Sequence, residues 1–182
     1  MRADQLIRED IAMTNPSPTL HVLCGKIAAG KSTLAARLGG LPETVLVAED
    51  AWLNALYPGE VQSPKDYLRC SALLRRALGP HVAALLDAGV SVVLDFPANT
   101  VEQRAWMRGI LQATHAAHEL HVLDVPDEIC LARLRARNAG GEHPFAATEA
   151  QFHLFSKHFI LPTPDEGFTV VRHDEPGGRD PA

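Results

Sequence analysis

The stretch from Cys24 to Thr33, CGKIAAGKST, holds two of the chain's four lysines in a segment rich in glycine and alanine. Gly25, Gly30, Lys31 and Ser32 fit the pattern G-x-x-x-x-G-K-[ST] position by position. In that pattern the loop backbone cradles phosphates, the lysine reaches the β- and γ-phosphates, and the hydroxyl holds Mg²⁺. The other interpretation is local: the glycines end a strand and start a helix, and Lys31 is merely solvated.

The flanking segments favour the phosphate-binding interpretation. TLHVLCG (19–25) is a short apolar run that stops at glycine, and KSTLAARLGG (31–40) looks helical and ends on two glycines. A loop that follows a strand and opens a helix is the context that the pattern requires, and the helix N-terminus would add partial positive charge. We therefore expect ATP and Mg²⁺ as cofactors, bound by Gly25, Lys26, Ala28, Ala29, Gly30, Lys31, Ser32 and Thr33.

Two aspartates follow the next two predicted strands. Asp50 comes after TVLVAE, and Asp95 comes after VSVVL. In an open parallel sheet the ligand crevice lies beyond the carboxyl ends of the strands, so both should face the phosphate loop. One carboxylate could accept a proton from an acceptor hydroxyl, and the other could orient Mg²⁺ through its water shell, beside Ser32. The alternative for each is a helix N-cap, and Glu49 could take the place of Asp50.

Three arginines, Arg133, Arg135 and Arg137, end a predicted helix and lead into the loop NAGGEHPF (138–145). A guanidinium fork meets two oxygens of a transferring phosphoryl group at once. A loop that carries arginine would also exclude water, and we expect such a lid at about 138–147. The alternative is a solvated helix C-terminus, which the helix dipole favours.

Strands must alternate with helices to place these residues at one edge. Alternating apolar and amphipathic runs predict an α/β fold of three layers, with a five-stranded parallel sheet flanked by helices. Residues 1–18 form a charged N-terminal segment, 19–173 one domain, and 174–182 a disordered tail. The predicted strands are 19–25, 44–50, 90–96, 119–126 and 167–173. The predicted helices are 31–40, 65–88 (divided at Gly79-Pro80), 101–117, 127–138 and 148–159.

Net charge, apolar runs and cysteine content narrow the classes of function that the chain can have. A net charge of −5 argues against a broad nucleic-acid surface. No run approaches the roughly 18 apolar residues of a membrane span, and the charged N-terminus lacks the apolar core of a signal peptide. The three cysteines are dispersed and odd in number, which is typical of reduced thiols in a cytoplasmic protein. The spacings of His115, His118, His121, His153 and His158 match no metal pattern, so we interpret these residues as surface or packing side chains.

On these residues the chain resembles the P-loop kinases of the nucleoside-monophosphate-kinase type. Within them it is similar to the predicted-kinase group that includes phage polynucleotide 5'-kinases, chloramphenicol phosphotransferases and zeta toxins. The resemblance covers about residues 19–173 and rests on GKIAAGKST (25–33), VAEDAW (47–52), VVLDFPANTVEQR (92–104) and DVPDEICLARLRARN (124–138).

The resemblance implies both a topology and residue roles. The sheet order would be 2-3-1-4-5. Asp50 would be the general base, and Asp95 would match the aspartate at the end of the third strand. Asn99 and Arg104 would lie near the acceptor, and Arg137, with Arg133 next, would be the lid arginine.

The sequence departs from the group's pattern where it would identify the acceptor. Polynucleotide kinases carry a basic residue shortly after the general base, and Leu53 stands there in this chain. Trp52, Leu53, Leu56 and Tyr57 suggest an apolar acceptor pocket, or else they cover the core. We therefore expect transfer from ATP to a hydroxyl of a small metabolite or antibiotic, with nucleic acid disfavoured. The alternatives are a nucleotide or polynucleotide 5'-hydroxyl kinase and a zeta-type toxin kinase.

Two further classes of P-loop protein fit less well. A regulatory GTPase normally adds an N-K-x-D motif, which the chain lacks. An ATPase motor needs a glutamate that activates water, and no glutamate follows Asp95 in VVLDF.

Overall fold

The computed structural model describes residues 17–140 and 147–173. Five strands form one parallel sheet in the order β2-β3-β1-β4-β5. The predicted α/β fold and its strand order are confirmed. The strands are β1 (Thr19–Gly25), β2 (Thr44–Ala48), β3 (Ser91–Pro97), β4 (Ala117–Leu123) and β5 (Val170–Arg172). Most of the predicted N-terminal segment and lid, and all of the predicted tail, lie outside the described residues.

Among the described residues, six α-helices cover the two faces of the sheet. They are α1 (Lys31–Gly39), α2 (Glu49–Leu56), α3 (Pro64–Asp87), α4 (Val101–Gln112), α5 (Asp127–Gly140) and α6 (Glu149–Ser156). Side chains alternate along β1, so Leu20, Val22 and Cys24 join the core under α3 and α4. Leu23 joins the core under α1, α5 and α6 on the other face. Within the described ranges no helix is both long and apolar enough to cross a membrane.

Helix α3 corrects the prediction that Gly79-Pro80 divides this segment. The helix continues from Pro64 to Asp87 with Pro80 inside it. Leu74, Leu78, Val82 and Leu86 are buried against the sheet, on both sides of the proline. Pro80 itself is exposed, so the carbonyl that loses its helical partner is on the water side. Tertiary packing on the apolar face therefore overrides the local break.

Strand β2 ends two residues earlier than predicted. It stops at Ala48, and Glu49 and Asp50 form the first turn of α2. Acidic side chains in the first turn are favoured by the positive end of the helix dipole. The strand-to-helix transition therefore falls directly before the residues expected to do chemistry.

A change of register brings the end of β3 to the phosphate loop. The β1–β3 pairing shifts between Val22 and Leu23, and Leu23 lies opposite Pro97. The Ala98 amide then donates a hydrogen bond of 3.2 Å to the Leu23 carbonyl. The chain after β3 thus runs beside the start of the loop at Gly25.

Candidate functional site

The loop between β1 and α1 has the backbone conformation of an anion cradle. Ala28 has φ 60° and Gly30 has φ 105°, both in the left-handed region. An alanine in that region costs about 1–2 kcal/mol, so the rest of the loop must impose this conformation. Turns that alternate hand point successive N–H groups inward, which makes a concave anion site. A Cβ on Gly25 would lie 3.0 Å from the Leu123 carbonyl oxygen, a contact tight enough to disfavour a side chain there.

Lys31 lies at the centre of this loop. Its Nζ donates hydrogen bonds of 2.7 Å to the Gly25 carbonyl and 2.8 Å to the Lys26 carbonyl. Burial lowers the pKa of Lys31, and the negative charges of Asp95 and Asp50 oppose that shift. Both carboxylates therefore lie within electrostatic reach of the ammonium group.

Neither aspartate is a helix cap. Ala48 occupies the N-cap position of α2, without a side-chain cap, and Asp50 lies in the first turn, exposed. Asp95 lies within β3, half-buried, opposite Ala48 in the β2–β3 register. Thr100 caps α4 instead. A role as helix N-cap is thus excluded for both Asp50 and Asp95.

Glu49, the residue considered as a replacement for Asp50, points away from the loop. Its side chain is buried and accepts hydrogen bonds of 2.7 Å from Tyr67 Oη and 2.5 Å from Ser71 Oγ. Arg75 Nη2 lies 3.3 Å from the same carboxylate. Burial and the Glu49 carboxylate both raise the pKa of Tyr67, so its hydroxyl remains a donor. Glu49 therefore holds α2 against α3 through these contacts. Of the two adjacent acids, only Asp50 is exposed.

Asn99 has a contact that the sequence did not predict. Its Oδ1 accepts a 2.9 Å hydrogen bond from the Gly25 amide, at the start of the phosphate loop. The Asn99 amide in turn donates to Gln103 Oε1. The residue expected beside the acceptor therefore also anchors the loop. No local pattern could have indicated this, since the bonded atoms are 74 residues apart.

Lys26 supports the loop from its other side. Its ammonium group forms an ion pair with Asp127, the first residue of α5. Its Nζ also lies 5.8 Å from the centre of the Phe159 ring. The Lys26 side chain therefore contacts other protein groups. We expect Lys26 to contact phosphate through its backbone N–H group instead.

The three arginines of α5 separate into two groups. Arg133 Nη1 lies 3.4 Å from the Ala29 carbonyl of the loop. Arg137 follows on the same helix face, one turn later, and its buried Nε has no hydrogen-bond partner among the described residues. Arg135 instead pairs with Glu149 at 2.7 and 2.8 Å on the exposed surface. Arg135 therefore fits the solvated alternative, whereas Arg133 contacts the loop between β1 and α1.

Arg104 is placed differently from the expectation of an acceptor contact. It is fully buried and forms a two-pronged ion pair with Glu166 at 2.5 and 2.9 Å. Its Nη1 donates to the carbonyls of Ala98 and Ile160. A buried guanidinium needs such partners to offset its lost hydration. Arg104 joins α4 to the segment before β5, and we leave it out of the proposed acceptor site.

The apolar residues of α2 do not form one pocket. Leu53 is fully buried and Tyr57 packs against the core, whereas Trp52 and Leu56 are exposed. Of these four residues, Leu53 and Tyr57 therefore cover the core, as the alternative interpretation expected.

The face of α2 that carries Asp50 holds a different neighbour. Trp52 comes two residues after Asp50, which turns it roughly 200° around the helix from the aspartate. Asn54, exposed one turn after Asp50, shares the aspartate's side of α2 and was not singled out in the sequence.

Solved structures of kinases share this fold. A presumed kinase from Chloroflexus aurantiacus J-10-fl has a TM-score of 0.67 at 22% identity, over 86% of this chain and 85% of its own. APS kinase from Mycobacterium tuberculosis, in complex with AMPPNP and APS, gives 0.57 at 21%, over 88% and 91%. A chain of the Pnkp1/Rnl/Hen1 RNA repair complex gives 0.57 at 19%, over 80% and 45%. No curated protein matches the sequence.

The predicted resemblance to the P-loop kinase superfamily agrees with these structural neighbours. A family model described as an AAA domain matches residues 20–162, which include the loop, both aspartates and the arginines of α5. Because this match spans most of the sequence, the chain belongs to that AAA domain family of P-loop proteins.

Proposed function

We propose that this protein is an ATP-dependent kinase that transfers the γ-phosphate to a hydroxyl group of a small molecule. The main support for this proposal is that three charged groups, one ammonium and two carboxylates, lie close to one another. The Lys31 ammonium lies within the phosphate loop, and the negative charges of Asp95 in β3 and of Asp50 in the first turn of α2 act on it. A site for phosphoryl transfer needs a phosphate cradle, a metal-orienting carboxylate and a carboxylate that positions the nucleophile.

The two aspartates differ in accessibility, and this difference supports the role of each. Asp50 is exposed, so an acceptor can approach it and give up its hydroxyl proton. Asp95 is half-buried beside Lys31, which suits a carboxylate that orients metal-bound water. Ser32 is exposed in the first turn of α1 and offers a hydroxyl ligand. Ser32 and Asp95 thus fit Mg²⁺, which when bound would neutralise charge on the phosphates.

The net charge of the chain and the burial of Leu53 support a small molecule as the acceptor. The chain carries a net charge of −5, and the position where polynucleotide kinases place a basic residue is a buried leucine. A polyanionic acceptor would find little attraction there. A polynucleotide 5'-hydroxyl is the second candidate, because a chain of an RNA repair complex shares the fold.

Acceptor-dependent consumption of ATP tests the function. With Mg·ATP alone, we expect slow hydrolysis, and with the correct hydroxyl compound we expect transfer that raises turnover by orders of magnitude. A panel of hydroxyl metabolites, aminoglycoside and phenicol antibiotics, and 5'-hydroxyl oligonucleotides separates the acceptor classes when phosphorylated product is identified by mass spectrometry. Hydrolysis at full rate without any acceptor would contradict the kinase assignment. Phosphorylation of the oligonucleotides alone would replace the small-molecule class.

Arg133 and Arg135 form a matched pair of variants for the proposed lid. Arg133→Ala should lower transfer by about 10²-fold, since removal of one preorganised donor to a developing charge typically costs that much. Arg135→Ala removes the same charge from the same helix, but its partner is the exposed Glu149, so turnover should change less than twofold. The measurement is kcat for each variant at saturating ATP. Equal losses in both variants would contradict a specific role for Arg133.

A further inference from the structure

A buried cluster of histidines lies on β1 and β4, away from the phosphate loop. His21 stands opposite Glu119 in the β1–β4 register, and His121 follows two residues later on the same side of the sheet. His21 is 8% exposed and His121 is 4% exposed. Gly25 follows His21 by four residues of extended strand, roughly 13 Å. The cluster is therefore separate from the proposed kinase site.

Three ligand atoms of this cluster form a nearly equilateral triangle. His21 Nδ1 lies 3.1 Å from His121 Nε2 and 3.3 Å from Glu119 Oε2. His121 Nε2 lies 3.4 Å from the same oxygen. Zinc bonds of about 2.0–2.1 Å in tetrahedral geometry separate neighbouring ligand atoms by about 3.3–3.4 Å. Octahedral geometry at the same bond lengths would give only about 2.9 Å, so the triangle fits a tetrahedral ion better.

Hydrogen bonding alone leaves one side of the triangle unsatisfied. If only one of the two nitrogens carries a proton, the other nitrogen and the carboxylate oxygen face each other as two acceptors. If both nitrogens carry protons, two N–H donors face each other at 3.1 Å. No assignment of protons makes all three contacts favourable. A cation between the three atoms does, because each then contributes a lone pair.

His173 supplies the contact that a metal-binding histidine usually needs. Its Nε2 lies 3.0 Å from His121 Nδ1, on the far side of the imidazole ring. A ligating histidine commonly donates its second N–H in this way, which fixes the tautomer and ring orientation. With Nδ1–H donated to His173, the Nε2 lone pair of His121 faces the triangle.

We propose that His21, Glu119 and His121 bind one divalent transition-metal ion, with zinc the best fit, in a tetrahedral site whose fourth position is open to solvent. Two imidazoles and one carboxylate are a ligand set that zinc accepts. The Glu119 side chain is 40% exposed, which opens the site to water and to the entering ion. The ion would cross-link β1 to β4 and, through His173, hold the short edge strand β5.

Metal titration of the nucleotide-free protein tests this site. The full chain, stripped with a chelator, should bind one equivalent of Zn²⁺ by calorimetry, with a rise in melting temperature because the ion binds the folded state. Co²⁺ should give the intense visible absorption of tetrahedral coordination. Glu119→Gln keeps size and exposure but removes the charged ligand, and its affinity should fall at least tenfold.

The control is His81→Asn, which removes an exposed histidine of α3 outside the cluster. It should leave the Co²⁺ spectrum and the Zn²⁺ affinity unchanged. The titration of the wild-type protein tests Zn²⁺ binding directly, so the result stands even where a variant does not fold. Absence of Zn²⁺ binding by the wild type, or equal affinity in Glu119→Gln, would overturn the proposal. Loss of binding in His81→Asn would place the metal elsewhere and overturn it as well.

Discussion

Replacement of Lys31 by alanine should abolish phosphoryl transfer and leave the fold intact. The loop is shaped by backbone torsions at Ala28 and Gly30 and by the Asn99 contact at Gly25, none of which needs the lysine side chain. What is lost is the positive charge opposite the β- and γ-phosphates, which stabilises the charge of the transition state in a site shielded from water.

The measurement compares turnover and melting temperature with those of a charge-matched control. Lys65→Ala removes an exposed lysine from the first turn of α3, away from the loop. It should retain wild-type turnover. Lys31→Ala should show no transfer above background, with a circular dichroism spectrum like that of the wild type. Wild-type turnover in Lys31→Ala, with any acceptor, would contradict the assignment of the loop to ATP.

Replacement of Asp50 by asparagine should lower turnover by about 10²–10⁴-fold, the usual cost of losing a general base. Asparagine keeps the size of the side chain but cannot take a proton from the acceptor hydroxyl. Nucleotide affinity should barely change, since Asp50 is exposed and its proposed partner is the acceptor hydroxyl, not the nucleotide. The measurements are kcat and the ATP dissociation constant, with and without Mg²⁺.

The comparison variant is Asp95→Asn, which removes the other carboxylate that acts on Lys31. It should weaken Mg²⁺-dependent ATP binding, because its proposed partner is the metal's water shell. If Asp50→Asn loses Mg·ATP binding while Asp95→Asn loses only turnover, the two roles are reversed. If neither variant changes either quantity, the catalytic carboxylate lies elsewhere. The buried contacts of Glu49 with Tyr67 and Ser71 argue against that residue.

The amino-acid sequence by itself determined the phosphate loop and the class of fold. Both follow from interactions between residues that are close in the chain. Gly25, Gly30, Lys31 and Ser32 lie within eight positions, and the torsions that shape the loop depend on the residue types at those positions. The runs of apolar residues also predicted the five strands, because the strands of a parallel sheet covered by helices are largely apolar. The resemblance supplied the order of the strands.

Only the tertiary structure separated neighbours of similar chemistry. Glu49 and Asp50 are adjacent acids, yet one helical step of about 100° turns the first into the core and the second to solvent. In the same way, Arg133 contacts the loop whereas Arg135, two residues later, pairs with Glu149. The sequence could not rank these residues, because the direction of a side chain depends on which helix face the sheet buries.

The structure also decided contacts between residues far apart in the chain. Arg104 and Glu166 pair across 62 positions, and His21 meets His121 across 100. The local spacing of the histidines shows no metal pattern, so the sequence alone predicts a surface or packing role for His121. Parallel pairing of β1 with β4 sets the actual spacing, since register and not sequence distance brings the ligand atoms together. Convergence of this kind is a property of the folded sheet, and no short window of sequence contains it.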